Sequence, residues 1–179
     1  MARFIKQECQ PGIMAAMLSA KQLEQRVKRA LRDAGLTRES VVGIFPERHL
    51  GEALCNHFIN ELKRMLNFRT ALLPGAQDEK IRLTHIALPW LMEDELLEFL
   101  RQEMLGEEPV KFPGAIVLKP VSGLTIEQGM QLAKAKKIKA GLREYSQEEK
   151  HLLAFVNEIT GKNLSLKHGL HKIAQSLLR

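Results

Sequence analysis

The residues best suited to chemistry are two clusters of basic side chains near the two ends of the 179-residue chain. The C-terminal cluster consists of Lys134, Lys136, Lys137, Lys139 and Arg143. The N-terminal cluster consists of Lys28, Arg29 and Arg32. Ammonium groups recognise the charge of a phosphate, and a guanidinium group can hold it through two parallel hydrogen bonds. Together the clusters predict contacts to the phosphate backbone of DNA or RNA, with weak sequence specificity.

The middle of the chain carries the opposite charge. Residues 1–36, 37–110 and 111–179 have net charges of +4, −5 and +7, which account for the overall +6. The acidic side chains include Asp94, Glu95 and Glu98, which follow Trp90 on one predicted helix. These four residues predict a docking surface for a basic protein or a second copy of the chain, with the tryptophan as its anchor. The alternatives are a solvated acidic face and a tryptophan in the core.

Catalytic and metal-binding patterns are sparse in this sequence. His57 and Glu61 lie four positions apart on a predicted helix, which is the spacing of an acid–base pair and also of a simple structural pair. His168 and His171 share one helical side, but no further ligand lies near them in the sequence to complete a metal site. No serine or cysteine nucleophile motif and no phosphate-binding glycine loop occurs. We therefore expect no catalytic residue, no metal and no cofactor.

The cysteines and the N-terminal residues bear on the cellular compartment. Cys9 and Cys55 fit neither a metal-ligand spacing nor a disulfide framework. The first apolar residues are interrupted by Lys6, Gln7 and Glu8, unlike those of a secretory signal. No apolar run approaches the length of a bilayer span. These features predict a cytoplasmic protein without a membrane partner.

The elements that position these residues follow from the hydrophobic periodicity. It predicts a helix over 19–34, a strand over 41–45, a helix over 47–66, two strands over 67–73 and 80–88, a helix from 89, and a strand over 114–119. Three further helices follow, two of them opened by capping boxes at Thr125 and Ser146. The polar Pro-Gly segment at 74–79 is typical of a hairpin loop between the second and third strands.

The order strand, helix, strand, strand, helix, strand over 41–119 predicts an α+β fold of the ferredoxin-like, split βαβ type. Two helices would cover a four-stranded antiparallel sheet, and an N-terminal helix and a C-terminal helical extension would pack on it. A small three-layer α/β fold is the alternative. Residues 1–120 would form the core and 121–179 the extension. The favoured function is a non-enzymatic nucleic-acid-binding module or subunit of a nucleoprotein assembly, the alternative is a protein-interaction adaptor, and an enzyme using His57 and Glu61 is a third class.

Overall fold

A computed structural model describes residues 18–73, 82–161 and 163–177 of the chain. In chain order, the elements are α1 (Ala20–Asp33), β1 (Val41–Ile44), α2 (Leu50–Leu66), β2 (Arg69–Leu72), β3 (His85–Ala87), α3 (Met92–Leu105), β4 (Ile116–Leu118), α4 (Ile126–Lys136), α5 (Gln147–Thr160) and α6 (Leu164–Leu177). None of the helices in these ranges combines the length and the apolar character that crossing a membrane requires.

The four strands form one sheet in the order β2-β1-β3-β4, and every pair in it is parallel. The prediction of an antiparallel, ferredoxin-like sheet is therefore wrong. Strands β2 and β3 do not pair as a hairpin, because β1 lies between them. The predicted hairpin loop at 74–79 lies outside the described residues. The stretch from the end of β2 to the start of β3 has the dozen or so residues that a crossover between parallel strands needs.

Burial on both faces explains why parallel pairing suits these strands. All four residues of β1 and all three of β3 are buried, which is the rule for parallel sheets covered by helices on each side. Since β2 and β4 lie at opposite ends of the sheet, right-handed crossovers carry α2 and α3 over opposite faces. The molecule is thus an α/β fold, the class that was the alternative from sequence.

Two apolar clusters hold the layers together. The larger one joins α1, α2 and α4 to the sheet, and its members Leu23, Leu54 and Leu132 are fully buried. The smaller one joins α3 to α5 and α6 through residues such as Leu96 and Val156. Helix α4 thus packs with the core helices, whereas α5 and α6 extend from α3. The domain division at residue 120 stays a prediction.

Candidate functional site

A cleft opens where the strand order of the sheet reverses. Parallel α/β sheets bind ligands at the carboxyl ends of their strands, at the point where successive connections leave in opposite directions. Here that point lies between β1, which leads through α2 to β2, and β3, which leads through α3 to β4. The cavity measures about 460 Å³ and is walled by the first turns of α2 and α3 and by residues 142–145. We call it the switch-point cleft.

Three aromatic rings line the switch-point cleft. Phe45 directly follows β1, Trp90 lies between β3 and α3, and Tyr145 precedes α5; each is half-buried. The Lys119 ammonium lies 5.1 Å from the centroid of the Trp90 ring, and the Arg143 guanidinium lies 5.2 Å from that of Tyr145. Rings of this kind offer flat surfaces on which a planar ligand can stack.

Asp94 fixes two of the lining side chains in place. One of its carboxylate oxygens accepts a hydrogen bond from the Leu91 backbone N–H at 2.9 Å, which caps α3. The other accepts from Arg143 at 2.9 Å and from the Tyr145 hydroxyl at 3.2 Å. Burial raises the pKa of Asp94, and burial together with the Asp94 charge raises the pKa of Tyr145. Tyr145 therefore remains a protonated donor, and Asp94 serves to position its neighbours.

The first turn of α2 is bonded to the residues before it and to a distant segment of the chain. The Glu52 carboxylate accepts hydrogen bonds from the backbone N–H groups of Arg48 and His49, and the Leu50 N–H donates to the Gly141 carbonyl at 2.8 Å. A Cβ atom at Gly51 would lie only 2.1 Å from the carbonyl oxygen of the residue before Trp90, Pro89. Glycine at this position thus allows α2 to approach the β3–α3 connection closely.

The two predicted basic clusters lie on neighbouring helices, α1 and α4, which pack against each other. Lys28 and Lys136 both bind the Glu24 carboxylate, at 2.6 and 2.7 Å, and hydrogen bonds from Lys136 and Lys28 lower the pKa of Glu24. Lys28 also lies 3.2 Å from Glu61. The remaining members of the clusters on these helices are exposed and have no carboxylate partner among the described residues: Arg29, Arg32, Lys134, Lys137 and Lys139.

Arg143, the last predicted phosphate contact, lies apart from α1. It lines the switch-point cleft, where its two terminal nitrogens donate to Asp94 and, at 2.6 Å, to Glu149. Both ends of the guanidinium group therefore already have carboxylate partners. Sequence spacing alone did not separate this arginine from the lysines that precede it.

The acidic residues that were predicted as a protein interface do not form one exposed acidic surface. Asp94 faces the cleft beside Trp90, and Glu95 is only 1% exposed. Glu95 accepts hydrogen bonds from Lys119 at 2.6 Å, from His171 and from Gln175 at 3.1 Å. Burial raises its pKa, but the bonds from His171 and Lys119 outweigh this effect and hold the pKa at about 2.

Glu98 remains partly exposed and accepts a hydrogen bond from Gln102 on its own helix.

The histidine pairs give no catalytic or metal geometry. His57 Nε2 lies 3.8 Å from Glu61, too far for a hydrogen bond, and both side chains are about one-third exposed. His171 is bound to Glu95 and is not paired with His168. In the part of the chain that the structure describes, no three His, Cys, Asp or Glu residues come together as metal ligands.

Arg48, His49 and Tyr145 line the cleft, and none of them was predicted from the sequence as a site residue. One signal was available for the first two: they come just after a buried strand, and ligands of α/β sheets bind at such strand ends. That signal needs parallel strands, and the antiparallel prediction concealed it. Tyr145 is brought to the cleft by tertiary packing alone.

Comparison with known proteins identifies the fold. No family model and no curated protein matches the sequence. Among solved structures, the chain is similar to the U34-tRNA thiolase NcsA from Methanococcus maripaludis, which carries a 4Fe–4S cluster. The TM-score is 0.63 at 10% sequence identity, and the match covers 89% of this chain and 80% of that one. The chain thus shares its fold with a tRNA thiolase.

This likeness contradicts the prediction of a non-enzymatic nucleic-acid-binding module, because the solved structure that shares the fold is an enzyme, a tRNA thiolase.

The residues of this chain do not fit a 4Fe–4S cluster. Such clusters are held by cysteine thiolates, usually four. The chain has two cysteines, and one of them, Cys55, is 1% exposed in the core of α2. Burial raises the pKa of the Cys55 thiol to about 12, which keeps it protonated. Two cysteines, one of them buried and protonated, are therefore too few to hold such a cluster.

Proposed function

We propose that this chain is an RNA-modifying enzyme, with tRNA as its substrate class, and that the switch-point cleft is its reaction site. The fold it shares with a tRNA thiolase supports an RNA substrate. The cleft lies where α/β enzymes hold their ligands. The observation that carries the proposal is that the segment with the exposed lysines leads along the chain into this cleft.

That continuity can be followed residue by residue. Lys134 lies on the exposed side of α4, Lys137 turns the chain out of the helix in a left-handed conformation (φ 57°), and Lys139 follows. We call these three side chains the cationic track. The Gly141 carbonyl then binds the first turn of α2, and residue 143 lines the cleft. A phosphate backbone on the cationic track would therefore deliver a nucleotide to the cleft.

Two arginines extend the same basic surface. Arg29 and Arg32 are exposed on α1, the helix packed beside α4. Lys28 and Lys136 both bind the Glu24 carboxylate, and these ion pairs join α1 to α4. We propose that these residues add backbone contacts that orient the RNA.

His49 is the proposed proton-transfer group of the cleft. It is half-buried at the start of α2 and is the imidazole among the lining residues. Histidine is the side chain most often used as a general acid or base. Arg48 next to it is exposed and free to meet a phosphate that flanks the reacting nucleotide. The buried, unpaired thiol of Cys55 is in keeping with a reducing compartment, and we propose the cytoplasm as the site of action.

The test of RNA binding removes the cationic track. Replacing its three lysines by glutamine should weaken tRNA binding and lower the slope of log K against log salt by about 2 to 3, because each phosphate contact contributes about 0.7 to 0.9. Filter binding between 50 and 200 mM salt, concentrations at which such contacts are strongly salt-dependent, measures this slope. A control carries the same change at three exposed lysines away from the track: Lys111, Lys150 and Lys172.

The two triple variants have equal net charge, so an equal loss of binding in both would contradict a specific track.

The enzymatic part is tested by mass spectrometry of the nucleosides in total tRNA from cells without the protein. One modified nucleoside should disappear and its precursor should accumulate. An unchanged nucleoside profile would overturn the proposal.

A further inference from the structure

We infer that the switch-point cleft receives the uncharged base of an RNA nucleotide and rejects a chain of phosphates. This inference rests on the proposed function and specifies what enters the reaction site. It follows from three observations: the state of the α2 N-terminus, the balance of charge in the cleft and the placement of the aromatic rings.

The place where an α/β fold ordinarily holds a phosphate carries a carboxylate of the chain itself, that of Glu52. Free N–H groups at a helix N-terminus attract phosphate. At the start of α2, the Glu52 carboxylate takes the N–H groups of Arg48 and His49, and the Gly141 carbonyl takes that of Leu50. A phosphate that approached this turn would meet the like-charged Glu52 carboxylate and would find the Leu50 N–H already bonded. The carbonyl of Pro89 crowds the same turn at Gly51.

The charges of the cleft cancel. The cations that line it are Arg48 and Arg143, and the carboxylates are Glu52 and Asp94. Arg143 already binds Asp94 at 2.9 Å and Glu149 at 2.6 Å, so Arg48 alone remains available to an anion. One exposed arginine can meet a single phosphodiester, but it cannot compensate the several charges of a triphosphate.

The apolar part of the cleft suits a planar ring instead. Phe45, Trp90 and Tyr145 come from three separate segments of the chain and reach the same cavity. Aromatic side chains bind single-stranded nucleic acid by stacking on its bases. Enzymes that modify a base take it out of its helix into a pocket of this kind. The cationic track would hold the backbone outside while the base enters.

The fluorescence of Trp90 reports on this site directly, because it is the only tryptophan of the chain. The experiment uses the full chain and four probes: a uridylate pentamer, the same ribose-phosphate pentamer without bases, uridine, and uridine triphosphate with Mg²⁺. We expect quenching by the uridylate pentamer and none by the abasic pentamer. We also expect uridine triphosphate to bind no more tightly than uridine does in the same titration.

Two substitutions sharpen the result. Tyr145→Leu should weaken the quenching by the uridylate pentamer by about tenfold, the loss of one stacking partner. Glu52→Gln should raise the affinity for the triphosphate several-fold relative to the affinity for uridine. Circular dichroism shows whether each variant is folded. If Tyr145→Leu does not fold, the titrations of Glu52→Gln with uridine and with uridine triphosphate still test the inference.

Equal quenching by the abasic pentamer, no quenching by any base, or triphosphate binding tenfold tighter than uridine would each overturn the inference. These outcomes are separate from the test of the cationic track. Loss of tRNA binding in the track variant combined with tight triphosphate binding would leave the proposed function intact and reject the base-binding cleft. Quenching by uridylate without any tRNA binding would reject the proposed function.

Discussion

Replacing Glu95 by glutamine should destabilise the protein severely, because this carboxylate joins α3 to two other parts of the chain. It is 1% exposed and binds Lys119 from the end of β4 and His171 and Gln175 from α6. The substitution keeps the size of the side chain and removes its charge. Lys119 and His171 would then lose a buried ionic partner.

The magnitude follows from the pKa of Glu95. Folding lowers it from 4.5 to about 2, which corresponds to about 3 kcal/mol of stability at neutral pH. Breaking a buried ion pair by removing one partner costs a similar 3 to 5 kcal/mol. Because the pKa is lower in the folded state, this contribution is fully present above pH 4.5 and is lost as the pH falls from 4.5 to about 2.

Urea unfolding followed by circular dichroism at pH 7 and near pH 3 measures both effects. Glu98→Gln is the matched control, since Glu98 lies on the same helix, is partly exposed and accepts a hydrogen bond from Gln102. We expect a loss of about 3 kcal/mol in Glu95→Gln and less than about 0.5 kcal/mol in the control. The difference between wild type and Glu95→Gln should shrink near pH 3. A pH-independent difference, or equal losses in both variants, would refute this account of α6 docking.

Two further predictions concern α2. Gly51→Ala should destabilise the protein by about 1 to 3 kcal/mol, because the alanine Cβ would overlap the Pro89 carbonyl, although alanine favours helices. Thermal unfolding measures this loss of stability, and a raised melting temperature would contradict the prediction. In a Cys9→Ser variant, Cys55 should resist alkylation by iodoacetamide at pH 8 until urea unfolds the chain, because its thiol is buried and its pKa is about 12. Rapid alkylation of the native protein, detected by mass spectrometry, would show an accessible thiol.

The helices could be predicted from sequence because their signals are local. Thr125 and Ser146 each cap a helix and form the predicted capping box with the residue three positions later, and Ser19 caps α1 in the same way. A capping box needs only four consecutive residues and the backbone that they fold. The period of apolar residues likewise follows from helix geometry alone.

Strand pairing could not be predicted in the same way, because it depends on residues far apart in the chain. The Pro-Gly segment after β2 fitted a hairpin, and the alternation at Ile81, Leu83 and His85 fitted a half-exposed strand. The strand itself covers only His85–Ala87, and all three residues are buried. Complete burial of β1 and β3 favours parallel pairing, but this burial results from helices that cover both faces of the sheet. It could therefore not be predicted from the strand residues alone.

The site illustrates the same limit. Sequence predicted which side chains are charged, and it could not show which of them neutralise one another. Glu93, Asp94 and Glu95 are consecutive in the first turn of α3, so their side chains point in different directions. Each pairs with a basic side chain of the segment 111–179, namely Lys167, Arg143 and Lys119.

Part of the charge separation between the middle and the end of the chain is therefore used within the fold. This changes which basic residues matter for RNA. Lys119, Arg143 and Lys167 count toward the +7 of the last segment, yet each is bound to a carboxylate of α3. The cationic track has no such partner in the described ranges. A bound phosphate would add attraction there without breaking an internal ion pair, so the track, and not the larger basic segment as a whole, should set the salt dependence of RNA binding.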